Sequence, residues 1–361
     1  MPERSRLPRF RELDGIRGFA ALGVFIHHFT KSSADHPALN TPYLNKLFSV
    51  LTLGGFGVDA FFVLSGFLIT GLLLIDRNKP NYFHNFYWKR ALRILPVYFI
   101  YLFLTFVIIG HSWGYVLLAL LFLVNFANRF NVVSNGVAWS LSIEEQFYLV
   151  WPHCVRRLNV TSLYYLALCV FGICNILRFV AALRSGGAPI AYTFYRCDGL
   201  GLGALLACQW FSDEGRTAFI RGALRVLNSK ITLVFVIVAQ IAITVLPASP
   251  VGHMATLTFV NYLAYRFIRH IVLRSDERTE ESWLGSAVPV FIGSISYGIY
   301  MYHGFVLILF DRYLGPIDPA SHLATLGRFV VSLAITLFVC FVSSRYIEIP
   351  IQGLRRRVLR P

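Results

Sequence analysis

In an apolar chain the residues able to do chemistry stand out by their cost, and the first group lies in ELDGIRGFAALGVFIHHF, from Glu12 to Phe29. On a helix, an eleven-residue separation is three turns plus roughly 20°, so Arg17 and His28 share one face about 16 Å apart along the axis. Asp14 falls within about 60° of that stripe, while His27 points elsewhere. An imidazole titrates near neutrality, and apolar surroundings keep it uncharged. Placed on an inward face, His28 can therefore take a proton from a hydroxyl that attacks an acyl carbonyl. The competing reading is a histidine at the membrane interface that bonds a backbone carbonyl.

A second group is cationic. In FYWKRALRILPVY, Arg90 and Arg93 stand three residues apart on one face of a helix start, with Lys89 beside them. Paired guanidiniums bind phosphate bidentately, which suits an anionic cofactor. Ordinary basic flanking of a membrane span gives the same local pattern.

The third group, WSLSIEEQFYLVWP from Trp139 to Pro152, carries Glu144 and Glu145 into an apolar helix. Ser140, Glu144, Tyr148 and Trp151 form one face, which suits a carboxylate that orients an imidazole or a sugar hydroxyl beside an aromatic platform. A structural pairing of Glu144 with Arg178 or Arg196 fits equally well. Smaller signals are Ser65 and Gly66 in GVDAFFVLSGFLITG, and Arg196 and Asp198 ahead of the glycines of YRCDGLGLGALLA. His303 closes SISYGIYMYH, and Glu348 stands in RYIEIP with Arg17, Arg90 or Arg93 as a partner. The glycine-rich pieces also read as plain helix-packing motifs.

The elements that position these residues are set by composition. Of 361 residues 56% are hydrophobic and 14% charged, with a mean hydropathy of +0.61. Soluble domains carry about 25% charged residues, so this is an all-α integral membrane protein. The net charge of +15, from 33 Lys and Arg against 18 Asp and Glu, excludes nucleic acid as a partner once it is assigned to the borders of apolar spans. The six cysteines lie in or beside apolar segments without metal-ligand spacing, so no metal is expected.

Apolar runs fall at about residues 15–30, 50–75, 93–110, 113–127, 138–155, 162–183, 198–211, 230–247, 252–272, 285–310 and 325–347. A crossing needs about 20 residues, so the run at 113–127 is short and reads as re-entrant. The remaining ten read as spans. They place the basic N-terminus (1–12), the loop with Arg77 and Lys79, and Arg156 and Arg157 on the cytoplasmic side. The stretches with Arg216 and Arg221 and with Arg274 and Arg278, and the basic tail (351–361), fall on that side too. A cleaved signal peptide is disfavoured by Arg17 at the start of the first run and the histidines at its end. One membrane domain, 1–361, is expected.

The motifs LDGIRGFAALGVFIHHF, FFVLSGFLITG, KRALRILPVYF, WSLSIEEQFYLVWP, YRCDGLGLGALLA, SISYGIYMYH and YIEIP occur in the order seen in the acyltransferase-3 family of membrane O-acyltransferases, which the chain resembles over nearly its whole length. The resemblance implies a bundle of about ten spans in the cell inner membrane. It further implies transfer of an acyl group, commonly acetyl from cytoplasmic acetyl-CoA, to a carbohydrate hydroxyl. It carries an essential role over to Arg17 and His28, acyl-CoA handling to Arg90 and Arg93, and the glutamate of the WSLxxE pattern to Glu144. The chain also resembles stand-alone members that lack an SGNH-type hydrolase domain. The rival class is a polytopic transporter or flippase of a glycolipid or small anion, since inward polar residues also line substrate paths.

Overall fold

The computed structural model describes residues 7–34, 52–134, 136–185, 191–211, 225–245, 249–273, 282–315 and 322–354. The start of the basic N-terminus, most of the basic tail, and Arg216, Arg221, Arg274 and Arg278 lie outside the described residues. Among the described residues regular structure is helical, without a strand.

The helices are α1 (Arg11–Ala34), α2 (Gly57–Asp76), α3 (Tyr82–Leu104), α4 (Trp113–Leu120), α5 (Ala138–Arg157), α6 (Val160–Ser185), α7 (Thr193–Arg196), α8 (Asp198–Phe211), α9 (Lys230–Val245), α10 (Pro250–Leu273), α11 (Ala287–Ser294), α12 (Ser296–Leu314), α13 (His322–Ser343) and α14 (Ile349–Gly353). Among the described residues four stretches are long and apolar enough to cross a membrane: Gly54–Asp76, Tyr82–Ile109, Val160–Arg184 and Leu323–Gly353. The pair α11 and α12 makes a fifth if it counts as one span, bent by 66°. Ile231, Val234, Phe235, Val238 and Ile241 of α9 are exposed. Apolar stripes of this kind match lipid rather than water, and the chain is a multi-pass membrane protein.

Two segments depart from their expected shapes. The run expected at 93–110 belongs to a helix that starts at Tyr82. Arg90 and Arg93 therefore sit about two turns inside α3 rather than at its start. Hydropathy falls at Lys89 and Arg90, but the helix continues because Phe86, Ile94, Val97, Tyr98 and Tyr101 form its buried stripe. The run at 285–310 breaks at Ile295, where φ −103° and ψ 7° interrupt the backbone hydrogen-bond ladder. The short run at 113–127 contains α4, which at about 1.5 Å per residue is too short to cross a bilayer. The chain turns after it at Phe122, whose φ of 53° is unusual for a side chain of this size. Its ring stacks on Tyr98 at 5.2 Å, and the Tyr98 hydroxyl donates to the Ala119 carbonyl at 2.9 Å.

The chain divides into two compact units. The first comprises Met1–Phe10, Asp59–Tyr82 and Trp139–Glu280; the second comprises Arg11–Val58, Phe83–Ala138 and Glu281–Pro361. Within the first, α2 and α8 meet backbone to backbone: a Cβ added at Gly203 would overlap the Val63 carbonyl oxygen. Trp151 Nε1 donates to Thr70 Oγ1 at 2.8 Å, which ties α5 to α2. Within the second, α1 and α11 touch so closely that a Cβ at Gly293 would overlap the Asp14 carbonyl. The Tyr297 hydroxyl donates to the Ile94 carbonyl at 3.0 Å, and that of Tyr300 donates to the Val137 carbonyl at 3.3 Å. These two bonds dock α12 on α3 and on the segment at Val137. Phe25, Phe29 and Leu307 form a buried apolar cluster joined by Ile26, Phe329 and Leu333.

Gly203→Ala should destabilise the chain by about 1–3 kcal/mol, as overpacking does. Gly172→Ala, where an added Cβ meets nothing within 4 Å, should not. Thermal unfolding of the two variants in detergent micelles checks the contrast.

Candidate functional site

In the second unit α1 is one uninterrupted helix from Arg11 to Ala34, so Arg17 and His28 do lie along one face. Both are half-buried, as is Asp14. His27 packs against Gly55, whose added Cβ would come within 2.9 Å of its Nδ1, so the two adjacent imidazoles serve different surroundings. His28 Nδ1 lies 3.0 Å from the Val24 carbonyl and 3.1 Å from His303 Nε2 on α12. His303 has no solvent exposure, and its Nδ1 lies 2.8 Å from the Ile299 carbonyl. Sequence spacing singled out both histidines but not their pairing, because 275 residues separate them.

On α3 of the same unit Lys89, Arg90 and Arg93 are half-buried. Arg90 and Arg93 fall about 60° apart on one face. Glu348, in the π-helical turn Ser344–Glu348, is 6% exposed and feels the charge of Arg93. The π-turn adds a residue to the helical repeat and turns Glu348 inward. Its Oε1 has no hydrogen-bond partner among the described residues.

Glu144, in the first unit, is held by hydroxyls. Its Oε2 accepts from Tyr148 at 2.6 Å on the same helix and from Ser65 at 3.1 Å on α2. Ser65 is thus more than a small packing residue, since its hydroxyl orients this carboxylate. Trp139 on the preceding turn contributes its ring face to Arg196, whose guanidinium carbon lies 5.9 Å from the Trp139 ring centre and 5.6 Å from that of Phe62.

The two arginines considered as partners of Glu144 form ion pairs with aspartates. Arg178 Nη2 lies 2.7 Å from Asp198 Oδ2, with both side chains fully buried. Arg196 Nη2 lies 2.9 Å from Asp59 Oδ1, also buried. Around the first pair Arg178 donates to the Tyr195 carbonyl, Asn175 and Thr258, and Asn261 donates to Asp198 at 3.1 Å. Around the second, Arg196 Nε and Nη1 have no acceptor among the described residues, and the faces of Phe62 and Trp139 stand in for one. Asp59 and Asn261 escaped the sequence reading. A lone carboxylate in the apolar run GVDAFFVLSGF was the available signal for Asp59.

Compared with known proteins, residues 10–345 match the acyltransferase-3 family model, described as an acyltransferase domain. The chain is 25% identical to a Staphylococcus aureus protein named "Putative O-acetyltransferase", over 97% of this chain and 58% of that protein. It is 26% identical to the peptidoglycan O-acetyltransferase OatA of Listeria monocytogenes, over 94% of this chain and 55% of the relative. The chain therefore spans little more than half the length of these relatives. No solved structure gave a significant match.

Breaking one buried pair strands a charge in an apolar medium at a cost of about 3–5 kcal/mol, whereas removing both charges is far milder. Asp198→Leu should therefore lower the thermal midpoint in detergent strongly. The double variant Asp198→Leu/Arg178→Met should recover most of that loss.

Proposed function

The chain belongs to the acyltransferase-3 family, whose domain is an acyltransferase, and from that membership we propose that it moves an acetyl group from cytoplasmic acetyl-CoA to a carbohydrate hydroxyl. The observation that carries this reading is α1 itself, a single helix that presents Arg17 and His28 along one face, with His28 beside an apolar cluster.

In the proposed reaction His28 is the general base. As the acceptor oxygen attacks the thioester carbonyl, the hydroxyl proton passes to the imidazole. A C–O bond forms, the C–S bond breaks, and the departing thiolate takes the proton back from His28, leaving an acetyl ester and free CoA. Arg17 offsets negative charge on the donor side, since a fixed guanidinium stabilises charge that develops in the transition state. The distance of about 16 Å between Arg17 and His28 is comparable with an extended pantetheine arm, so one donor can reach both. Arg90 and Arg93, with Lys89, are assigned to the CoA phosphates, where a guanidinium pair gives bidentate contacts. Glu144 is assigned to an acceptor hydroxyl, a group of the kind it already binds in Ser65 and Tyr148. The names of the matched relatives make a cell-wall glycan the first acceptor to try.

The membrane arrangement that goes with this chemistry is ten spans plus the re-entrant segment around α4, in the cell inner membrane with both termini cytoplasmic. Basic borders support it. The long helix α1 would count as a span despite its charged residues, because Asp14 and Arg17 lie half-buried on the face that carries His28, while Arg11 and Lys31 stand near its two ends.

Full-length protein in nanodiscs, given acetyl-CoA and a peptidoglycan glycan fragment, should release CoA thiol and yield an O-acetylated glycan. His28→Ala should lower that rate by about 10²–10⁴-fold, the usual contribution of a general base, with the folded yield unchanged. Arg90→Ala and Arg93→Ala should each raise the KM for acetyl-CoA about tenfold, the loss of one charge-assisted hydrogen bond. Glycan movement across the membrane without CoA release would replace the enzyme reading with a transporter.

A further inference from the structure

Two imidazoles that face each other at hydrogen-bonding distance cannot both present a proton, so their neighbours decide which nitrogen carries it. A backbone carbonyl only accepts. His303 Nδ1, 2.8 Å from the Ile299 carbonyl, is therefore protonated, and the Nε2 of that neutral ring is a bare acceptor. His28 Nδ1 faces two acceptors, this Nε2 at 3.1 Å and the Val24 carbonyl at 3.0 Å, so it must carry a proton. The remaining nitrogen of His28, Nε2, is left with its lone pair.

We infer that His303 is a positioning residue that fixes the tautomer of His28, so that Nε2 of His28 is the atom that receives the acceptor's proton. The inference rests on the reading of His28 as general base and adds which nitrogen acts and what holds it. The same Nδ1–H bond persists when Nε2 takes the proton, so His303 also steadies the imidazolium and no proton passes on to it. The arrangement is rigid for identifiable reasons. His303 is fully buried, its ring lies 6.4 Å from Phe25 and 6.1 Å from Tyr300, and Tyr297 and Tyr300 dock α12 against fixed carbonyls. The ring centres of His28 and His303 are 4.9 Å apart. A neutral acceptor in this place orients the base as a carboxylate does in a catalytic triad, and it adds no net charge to the apolar cluster.

The test exploits reach. Gln at position 303 can put its amide oxygen near the place of Nε2, Asn is too short to do so, and Leu has no acceptor. In nanodiscs with acetyl-CoA and the glycan fragment, His303→Leu and His303→Asn should each lower kcat by about 10–100-fold and leave the KM for acetyl-CoA within about twofold, the pattern of an interaction made in the transition state. His303→Gln should restore kcat to within about fivefold of the parent. Thermal midpoints of the three variants in detergent report folding, and if the Leu variant does not fold, the Asn and Gln pair carries the same comparison. The inference is overturned if Gln is no better than Asn and Leu, or if Leu keeps the parent kcat. A His28→Ala variant with full activity would instead remove the general-base reading itself. An inactive His28→Ala alongside a fully active His303→Leu would remove only the role of His303.

Discussion

A guanidinium with no access to water has to find its compensation inside the protein, and this requirement organises the first unit. Arg178 meets Asp198 at 2.7 Å with both side chains fully buried, and Asn175, Thr258 and Asn261 complete the shell around them. Arg196 meets Asp59 and lies against two aromatic faces. These contacts join α2, α6, α7, α8 and α10, because the partners come from different helices. In a medium where a lone charge costs several kcal/mol, such pairs admit few other arrangements of the helices that carry them.

Close backbone approach does for shape what the ion pairs do for charge. Gly203 against Val63 and Gly293 against Asp14 allow helices to meet with no side chain between them. Helices within a bilayer gain little from hydrophobic association with one another, since lipid is as apolar as leucine, so van der Waals contact at small residues carries more of the load. In the second unit this contact seats α1 on α11 around Asp14, on the same helix that carries Arg17 and His28.

The chemistry follows the division of the chain. Arg17, His28, Lys89, Arg90, Arg93, His303 and Glu348 belong to the second unit; Ser65, Glu144, Arg196 and Asp198 belong to the first. In each unit a polar side chain meets a partner distant in sequence: His28 meets His303, and Glu144 meets Ser65. An isolated polar group among apolar helices is penalised until it finds such a partner, and each meeting fixes the geometry of a group able to react.

Much of this could be read without coordinates. The helical class followed from composition, the short α4 segment from its length, and the shared face of Arg17 and His28 from the period of 3.6 residues, because each depends only on neighbours along the chain. The start of α3 at Tyr82 and the break at Ile295 were hidden, since a helix end is set by backbone hydrogen bonds and tertiary cover rather than by hydropathy alone. The pairings were hidden more deeply. Nothing local to Arg178 says that Asp198 rather than Glu144 neutralises it, and nothing near His28 announces a ring 275 residues away. Residue types and their periodicity told which groups carry cost or reactivity. Only the packing of distant helices decided which group answers which, because a buried charge or donor is satisfied by whatever partner the fold brings within about 3 Å.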